Sequence, residues 1–213
     1  MKTTLYFVRH GQSEGNLYRI FLGHSNMDLT ELGVEQANCT AEALRDVHFD
    51  AIYSSDLTRA YDTAVPHAKI RGMDIIKDKR LRELYCGDWE GLTVEQIIER
   101  YGEKYTVEWV KNFGVAHIPG GESVKEGANR LYDFAIDVAK SNPGKTILCA
   151  SHAAVIRALY SRILDIAPED VAEKLPYPSN ASYSIVEYED GILRPVAFSC
   201  DEHMGALSST WKD

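Results

Sequence analysis

The sequence predicts an α/β fold, with helices packed against a largely parallel sheet. Three observations point there: strand-like and helix-like runs alternate from the start, two short apolar runs read as fully buried strands, and polar residues gather just past the strand ends. Strands are expected at about 3–8, 51–55, 74–80, 146–150 and 182–188, with a last one near 192–199. Leu5-Tyr6-Phe7-Val8 and Thr146-Ile147-Leu148-Cys149-Ala150 are apolar enough for central strands covered on both faces.

Helices are expected at about 30–45, 57–71, 93–111 with a break near Gly102, 123–141, 153–164 and 168–174. The clearest is 123–141. Val124, Ala128, Leu131, Phe134, Ala135 and Val138 recur at helical spacing, Ser123 can cap the start, and Asn142-Pro143-Gly144 ends it. No repeat, low-complexity tract or linker interrupts the chain, so residues 1–213 read as a single domain. The stretch at about 85–121, rich in Trp, Tyr and Gly, reads as an insertion over the active-site end of the sheet and a candidate lid.

With 45% hydrophobic and 26% charged residues, the chain has the composition of a folded globular protein. Its net charge of -9 repels nucleic acid and anionic membrane surfaces, so neither is expected as a partner. Cys39, Cys86, Cys149 and Cys200 are widely spaced without a C-x-x-C pair, which fits reduced thiols and a cytoplasmic location. Thr3–Val8 follows Met1 almost at once, with no basic, apolar or cleavage region of a signal peptide. Homo-oligomerisation is left open.

Ligands of parallel α/β sheets bind beyond the carboxyl ends of the strands. The first strand runs out in Arg9-His10-Gly11, the second passes Ser54-Ser55 toward Arg59, the third leads to Glu83, and the fourth ends in Ser151-His152. Together they would form a local positive site on an acidic protein, suited to a phosphate dianion. Arg9 and Arg59 offer planar forks for phosphate oxygens. His10 can form a phosphoramidate if one ring nitrogen is unprotonated and aimed at phosphorus; neighbouring arginines favour that neutral form, and the other nitrogen should donate to a backbone carbonyl. His152 would balance charge on the transferring group. Glu83 is the candidate general acid and base, although Arg80 and Arg82 beside it would oppose its protonation. Gly11 would bring backbone close to the ligand, and Asn16 would donate to a phosphate oxygen.

The run Leu5-Tyr6-Phe7-Val8-Arg9-His10-Gly11-Gln12-Ser13-Glu14-Gly15-Asn16 resembles the signature of the histidine phosphatase, or phosphoglycerate-mutase-like, superfamily. The likeness continues through Tyr53-Ser54-Ser55-Asp56-Leu57-Thr58-Arg59-Ala60, Leu81-Arg82-Glu83, Gly87-Asp88-Trp89-Glu90-Gly91, Pro119-Gly120-Gly121-Glu122-Ser123, Ser151-His152 and Asn180-Ala181-Ser182. It implies a three-layer α/β/α sandwich around a mostly parallel central sheet. It also implies a phosphohistidine on His10, a pocket of Arg9, Arg59 and His152 with Asn16 assisting, Glu83 as proton donor, and no metal or other cofactor.

Gly87-Asp88-Trp89-Glu90-Gly91 is similar to the branch of broad-specificity phosphatases, α-ribazole phosphatases and fructose-2,6-bisphosphatases, whereas glycolytic mutases usually carry Glu-Arg-His-Tyr-Gly there and a longer insert. Ala153 replaces a usual glycine beside His152, at a position expected to contact phosphate through its backbone. The expected activity is hydrolysis of a small phosphorylated metabolite; a phosphoglycerate-type mutase or a non-catalytic phosphate-binding protein are the alternatives. Trp89, Trp109, Tyr101, Tyr105 and Phe113 are read mainly as packing, and His48, His67, His117 and His203 as structural or surface residues.

Overall fold

A computed structural model describes residues 1–209; the tail of the expected 1–213 unit, residues 210–213, lies outside the described residues. In chain order the elements are β1 (Thr3–Arg9), α1 (Glu14–Leu17), α2 (Glu31–Ala43), β2 (Ala51–Ser54), α3 (Thr58–Arg71), β3 (Ile75–Lys77), α4 (Val94–Tyr101), α5 (Glu103–Lys111), α6 (Val124–Ser141), β4 (Thr146–Ser151), α7 (Ala153–Ile163), α8 (Val171–Lys174), β5 (Tyr183–Glu189) and β6 (Ile192–Cys200).

The strands form one sheet in the order β3-β2-β4-β1-β5-β6. The β3–β2, β2–β4 and β4–β1 pairs are parallel, while β5 and β6 add antiparallel strands beyond β1. The apolar run of β1 is explained by period-2 alternation between two buried faces. Leu5 and Phe7 join Ile147 and Cys149 of β4 in a core shared with α6 and α7, while Val8 joins Leu148 and Ala150 in a second core with residues of α3. Helices thus cover both faces of the sheet, giving the three layers expected.

Most boundaries match the sequence reading, and the differences have local causes. The third strand stops at Lys77 instead of reaching residue 80, because the Asp78 side chain accepts from Arg80 N and starts a 3-10 turn over Lys79–Leu81. The 93–111 helix breaks at Gly102, which takes φ 91° between α4 and α5, a conformation that L side chains resist. The 168–174 helix is a 3-10 turn at Pro168–Asp170 followed by α8. The short α1 and a 3-10 segment at Glu202–Leu207 were not anticipated. Glu187 lies in β5, within the strand expected at 182–188, and pairs with Lys2 at 2.7 Å. Among the described residues no helix is long and apolar enough to cross a membrane.

His67 of α3 has 0% exposure and neither ring nitrogen finds a partner. Burial lowers its pKa to about 3, helped by the nearby Arg71 and His203. The folded state therefore refuses a proton that the unfolded chain accepts near 6.5. Stability from this position is complete above pH 6.5 and drains as pH falls toward 3, with a slope approaching ~1.4 kcal/mol per pH unit. Urea unfolding of His67→Leu should therefore show a shallower loss of stability than wild type between pH 6.5 and 4. Equal pH slopes would rule out a buried neutral His67.

Candidate active site

The parallel register of β1 and β4 places Arg9 opposite Ser151, so His10 and His152 emerge side by side. The His10 N–H donates to Ser151 O at 3.0 Å, and the two ring centroids lie 5.1 Å apart, edge to face. From β2 comes Ser55, whose Oγ is 3.0 Å from His152 Nε2. The first turn of α3 supplies Arg59. Arg9, His10, Asn16, Arg59, Glu83 and Ala153 all line one pocket of about 580 Å3. Five strand and helix ends thus meet at one point.

The His10 ring is oriented by its own neighbour: Nδ1 donates to Gly11 O at 2.7 Å. Nε2 is thereby the unprotonated nitrogen of the neutral imidazole. Burial, then Arg59 and then Arg9, hold the His10 pKa well below 6.5, while the Gly11 contact opposes them. The His152 ring is also kept neutral, by burial first and by Arg59 and His10 after it. Ser55 Oγ already accepts from Leu57 N at 3.3 Å, so its hydroxyl proton is free to go to His152 Nε2. That assignment leaves the proton on His152 Nδ1, a buried donor without a protein acceptor.

Arg9 and Arg59 are each 2% exposed. Arg9 Nη1 donates to Pro178 O at 2.5 Å, and its Nε has no protein partner. Arg59 Nη1 and Nη2 donate to Ser25 O and Gly23 O at 2.8 and 2.9 Å. Burial lowers both guanidinium pKa values to about 10, against the raising effect of Glu83, so both stay charged near neutrality. Neutral carbonyls orient these forks without cancelling their charge. Asn16 Oδ1 accepts from Ser13 N, Ser13 Oγ and Asn180 Nδ2 at 3.1–3.2 Å, which leaves its amide NH2 available to the pocket.

Glu83 is anchored at the start of α7. Its Oε1 accepts from Leu84 N and Val155 N at 2.8 and 2.9 Å, and its Oε2 from Ala154 N at 3.1 Å. The opposition expected from Arg80 and Arg82 does not arise through direct pairing. Arg80 is paired with Asp78 and Asp137, and Arg82 makes two 2.6 Å contacts to Asp56. Arg130, not singled out from the sequence, holds the chain here instead, donating to the carbonyls of Arg80, Arg82 and Glu83.

One sequence-based expectation needs correction. Gly11 does not offer its N–H to a ligand: that group donates to Thr63 Oγ1 at 3.0 Å, and Gly11 is absent from the pocket wall. A Cβ at Gly11 would lie 2.3 Å from Gly33 O, so the glycine serves the close approach of α2 and the orientation of His10. His152 contacts His10 but does not itself line the pocket wall. Ala153 does line it, as the first residue of α7.

Sequence reasoning gave no individual site role to Ser55, Thr63 or Asn180, and did not single out Tyr177. The first three act only through other residues, and Tyr177 reaches the pocket from a segment between α8 and β5 that carries no periodic signal. Among the described residues no group of three His, Cys, Asp or Glu side chains is placed to hold a metal ion.

A neutral, oriented imidazole beside two buried guanidinium forks at the carboxyl end of a parallel sheet defines a phosphate-type anion site. The chain belongs to the histidine phosphatase superfamily (branch 1), whose model it matches over residues 5–201. Phosphoserine phosphatase 1 of Hydrogenobacter thermophilus is 33% identical over 204 residues, 94% of each chain. A 2,3-bisphosphoglycerate-dependent phosphoglycerate mutase of Allorhizobium ampelinum is 32% identical over 178 residues, 80% of this chain and 84% of the mutase. The solved structure of mycobacterial glucosyl-3-phosphoglycerate phosphatase superposes with a TM-score of 0.85 at 29% identity, covering 94% of this chain and 100% of that one.

Two measurements check this geometry. Nitrogen-15 NMR of the imidazoles should find His10 as the Nδ1–H tautomer, with no titration near pH 6.5; a His10 midpoint at that value would contradict the burial and charge described. The loop that holds Arg59 is itself tied to Glu90, which accepts from His24 N at 2.5 Å and Ser25 Oγ at 3.0 Å. Glu90→Ala should weaken vanadate and phosphate binding about tenfold, the size of one or two hydrogen bonds to a charged group, and Glu90→Gln should recover part of it. Unchanged anion affinity in Glu90→Ala would remove Glu90 from the support of Arg59.

Proposed function

We propose that this protein is a phosphatase that hydrolyses a small phosphomonoester through a phosphohistidine on His10. The observation that carries the reading is the His10 ring: Nδ1 is committed to Gly11 O, which leaves Nε2 as the nucleophile in a pocket walled by Arg9 and Arg59. In the first step Nε2 attacks phosphorus, the bond to the leaving oxygen breaks, and Glu83 gives that oxygen a proton. In the second step Glu83 takes a proton from water, the hydroxyl oxygen attacks phosphorus, and the P–N bond breaks to release phosphate. Arg9, Arg59, Asn16, the Ala153 N–H and His152 Nδ1 stabilise charge on the transferring oxygens. No step in this scheme draws on a metal.

The phosphatase relative covers 94% of this chain, and the Gly87–Gly91 run is of the phosphatase kind. The mutase relatives support a second reading, in which the phosphoryl group returns from His10 to an acceptor hydroxyl instead of passing to water. We read the whole chain as one unit with residues 85–121 as its insertion. Its four free cysteines and acidic charge favour a cytoplasmic protein that meets neither nucleic acid nor membrane.

The test is turnover of p-nitrophenyl phosphate and of alkyl phosphates with and without EDTA and vanadate. Hydrolysis should survive EDTA and be blocked by vanadate, and His10→Ala should lose it together with acid-labile phosphate on the protein. Acid-stable phosphate, or turnover retained in His10→Ala, would end the phosphohistidine reading; faster transfer between hydroxyls than release of phosphate would select the mutase. Glu83→Gln should slow alkyl phosphates about 100-fold or more and p-nitrophenyl phosphate much less, because only the poor leaving group needs the proton. Equal slowing of both would remove Glu83 as the acid.

A further inference from the structure

Next to the phosphate pocket lies a second, larger cavity. Phe21, Trp109 and Tyr177 line both, so these aromatic side chains form the wall that the two spaces share. The outer cavity is walled by Val94, Val110, Ala172 and Pro176, and Val110 is 56% exposed there. Three charged side chains also line it: Arg19, Glu95 and Arg157. Arg19 is exposed at the end of the loop after α1.

Arg157 is 2% exposed, an unusual place for a cation on a helix packed against the sheet. Its Nε and Nη2 donate to carbonyls of Val171, Ala172 and Leu175, and its guanidinium carbon lies 4.6 and 4.7 Å from the ring centroids of Phe113 and Tyr177. Its Nη1 has no partner. As at Arg9, carbonyls and ring faces orient the charge without cancelling it. Among the described residues Glu95 is the one carboxylate lining the cavity, against two guanidinium groups, so these residues give the cavity a net positive charge on a protein of formal charge -9.

We propose that the leaving group runs from the phosphate pocket past Phe21, Trp109 and Tyr177 into this cavity, and that the substrate is a phosphomonoester whose long, apolar leaving group ends in an anion directed toward Arg157 and Arg19. The inference rests on the phosphatase reading. A short leaving group would occupy the inner pocket and leave the outer walls unused. A long apolar chain would cover them, and a terminal carboxylate or phosphate would meet the guanidinium groups of Arg157 and Arg19 that line the cavity.

The experiment compares kcat/KM for butyl, hexyl, octyl and decyl phosphates with their ω-carboxylated counterparts, below micelle-forming concentrations, with p-nitrophenyl phosphate as reference. Wild type should gain at least about tenfold from butyl to decyl, a small part of the apolar transfer available from the added methylenes, and about tenfold more from the terminal carboxylate. Arg157 is buried and its replacement threatens folding, so the variants are at exposed positions. In Arg19→Glu the carboxylate gain should vanish while the chain-length gain persists, and in Val110→Glu both ratios should collapse. A flat chain-length series on an enzyme that hydrolyses p-nitrophenyl phosphate overturns this inference and leaves the phosphatase reading standing. A chain-length gain without a carboxylate gain overturns the terminal anion. Hydrolysis of no ester, with vanadate unbound, overturns both readings together.

Discussion

The parallel pairing of β1 with β4 is the constraint on which the site depends. The register that sets Arg9 against Ser151 brings two histidines from residues far apart in sequence to a ring separation of 5.1 Å. A shift by one residue would send every side chain of β1 to the opposite face and exchange its two apolar sets between the cores. The same apolar burial that stabilises the sheet therefore fixes the position of His10. Catalytic geometry and core packing are one requirement here.

A second pattern concerns how the chain treats its arginines. Arg80 and Arg82, just outside the pocket, are matched with aspartates. Those inside, Arg9 and Arg59, are held by the carbonyls of Pro178, Ser25 and Gly23. A carboxylate partner would neutralise the guanidinium toward an incoming anion, whereas a carbonyl dipole directs it and leaves the charge largely intact. The resulting field also keeps both imidazoles neutral, which is what a nitrogen nucleophile requires. An acidic protein can thus present a cationic pocket, because among the described residues that line it Glu83 is the one carboxylate, against two guanidinium groups.

The Gly-Asp-Trp-Glu-Gly run acquires a physical role in the same frame. Trp89 is 1% exposed and packs edge to face on Phe21 and Trp109, fixing the base of the insertion. Glu90, adjacent to it, ties down the loop whose carbonyls hold Arg59. Residues 85–121 and the pocket are therefore mechanically continuous. Trp109 has both roles, packing among aromatic side chains and facing both cavities, so the sequence reading of these residues as packing was correct for Trp89 and Phe113 and incomplete for Trp109.

Local chemistry was enough to read the alternation of elements, the apolar central strands, the Ser123 cap with its Glu126 partner and the break at Gly102, since each depends on residues within a few positions of one another. It was also enough to nominate Arg9, His10, Asn16, Arg59 and Glu83, because strand ends of a parallel sheet point to one rim, and these five do line one pocket together with Ala153, to which the family resemblance pointed. Only the tertiary structure decided which partner each group takes: Gly11 turned to Thr63 and Gly33, Arg82 to Asp56, Arg130 to the Glu83 carbonyl, and Tyr177 into the pocket. Those choices depend on distances of a few ångströms between segments tens of residues apart, and residue spacing along a chain does not encode them.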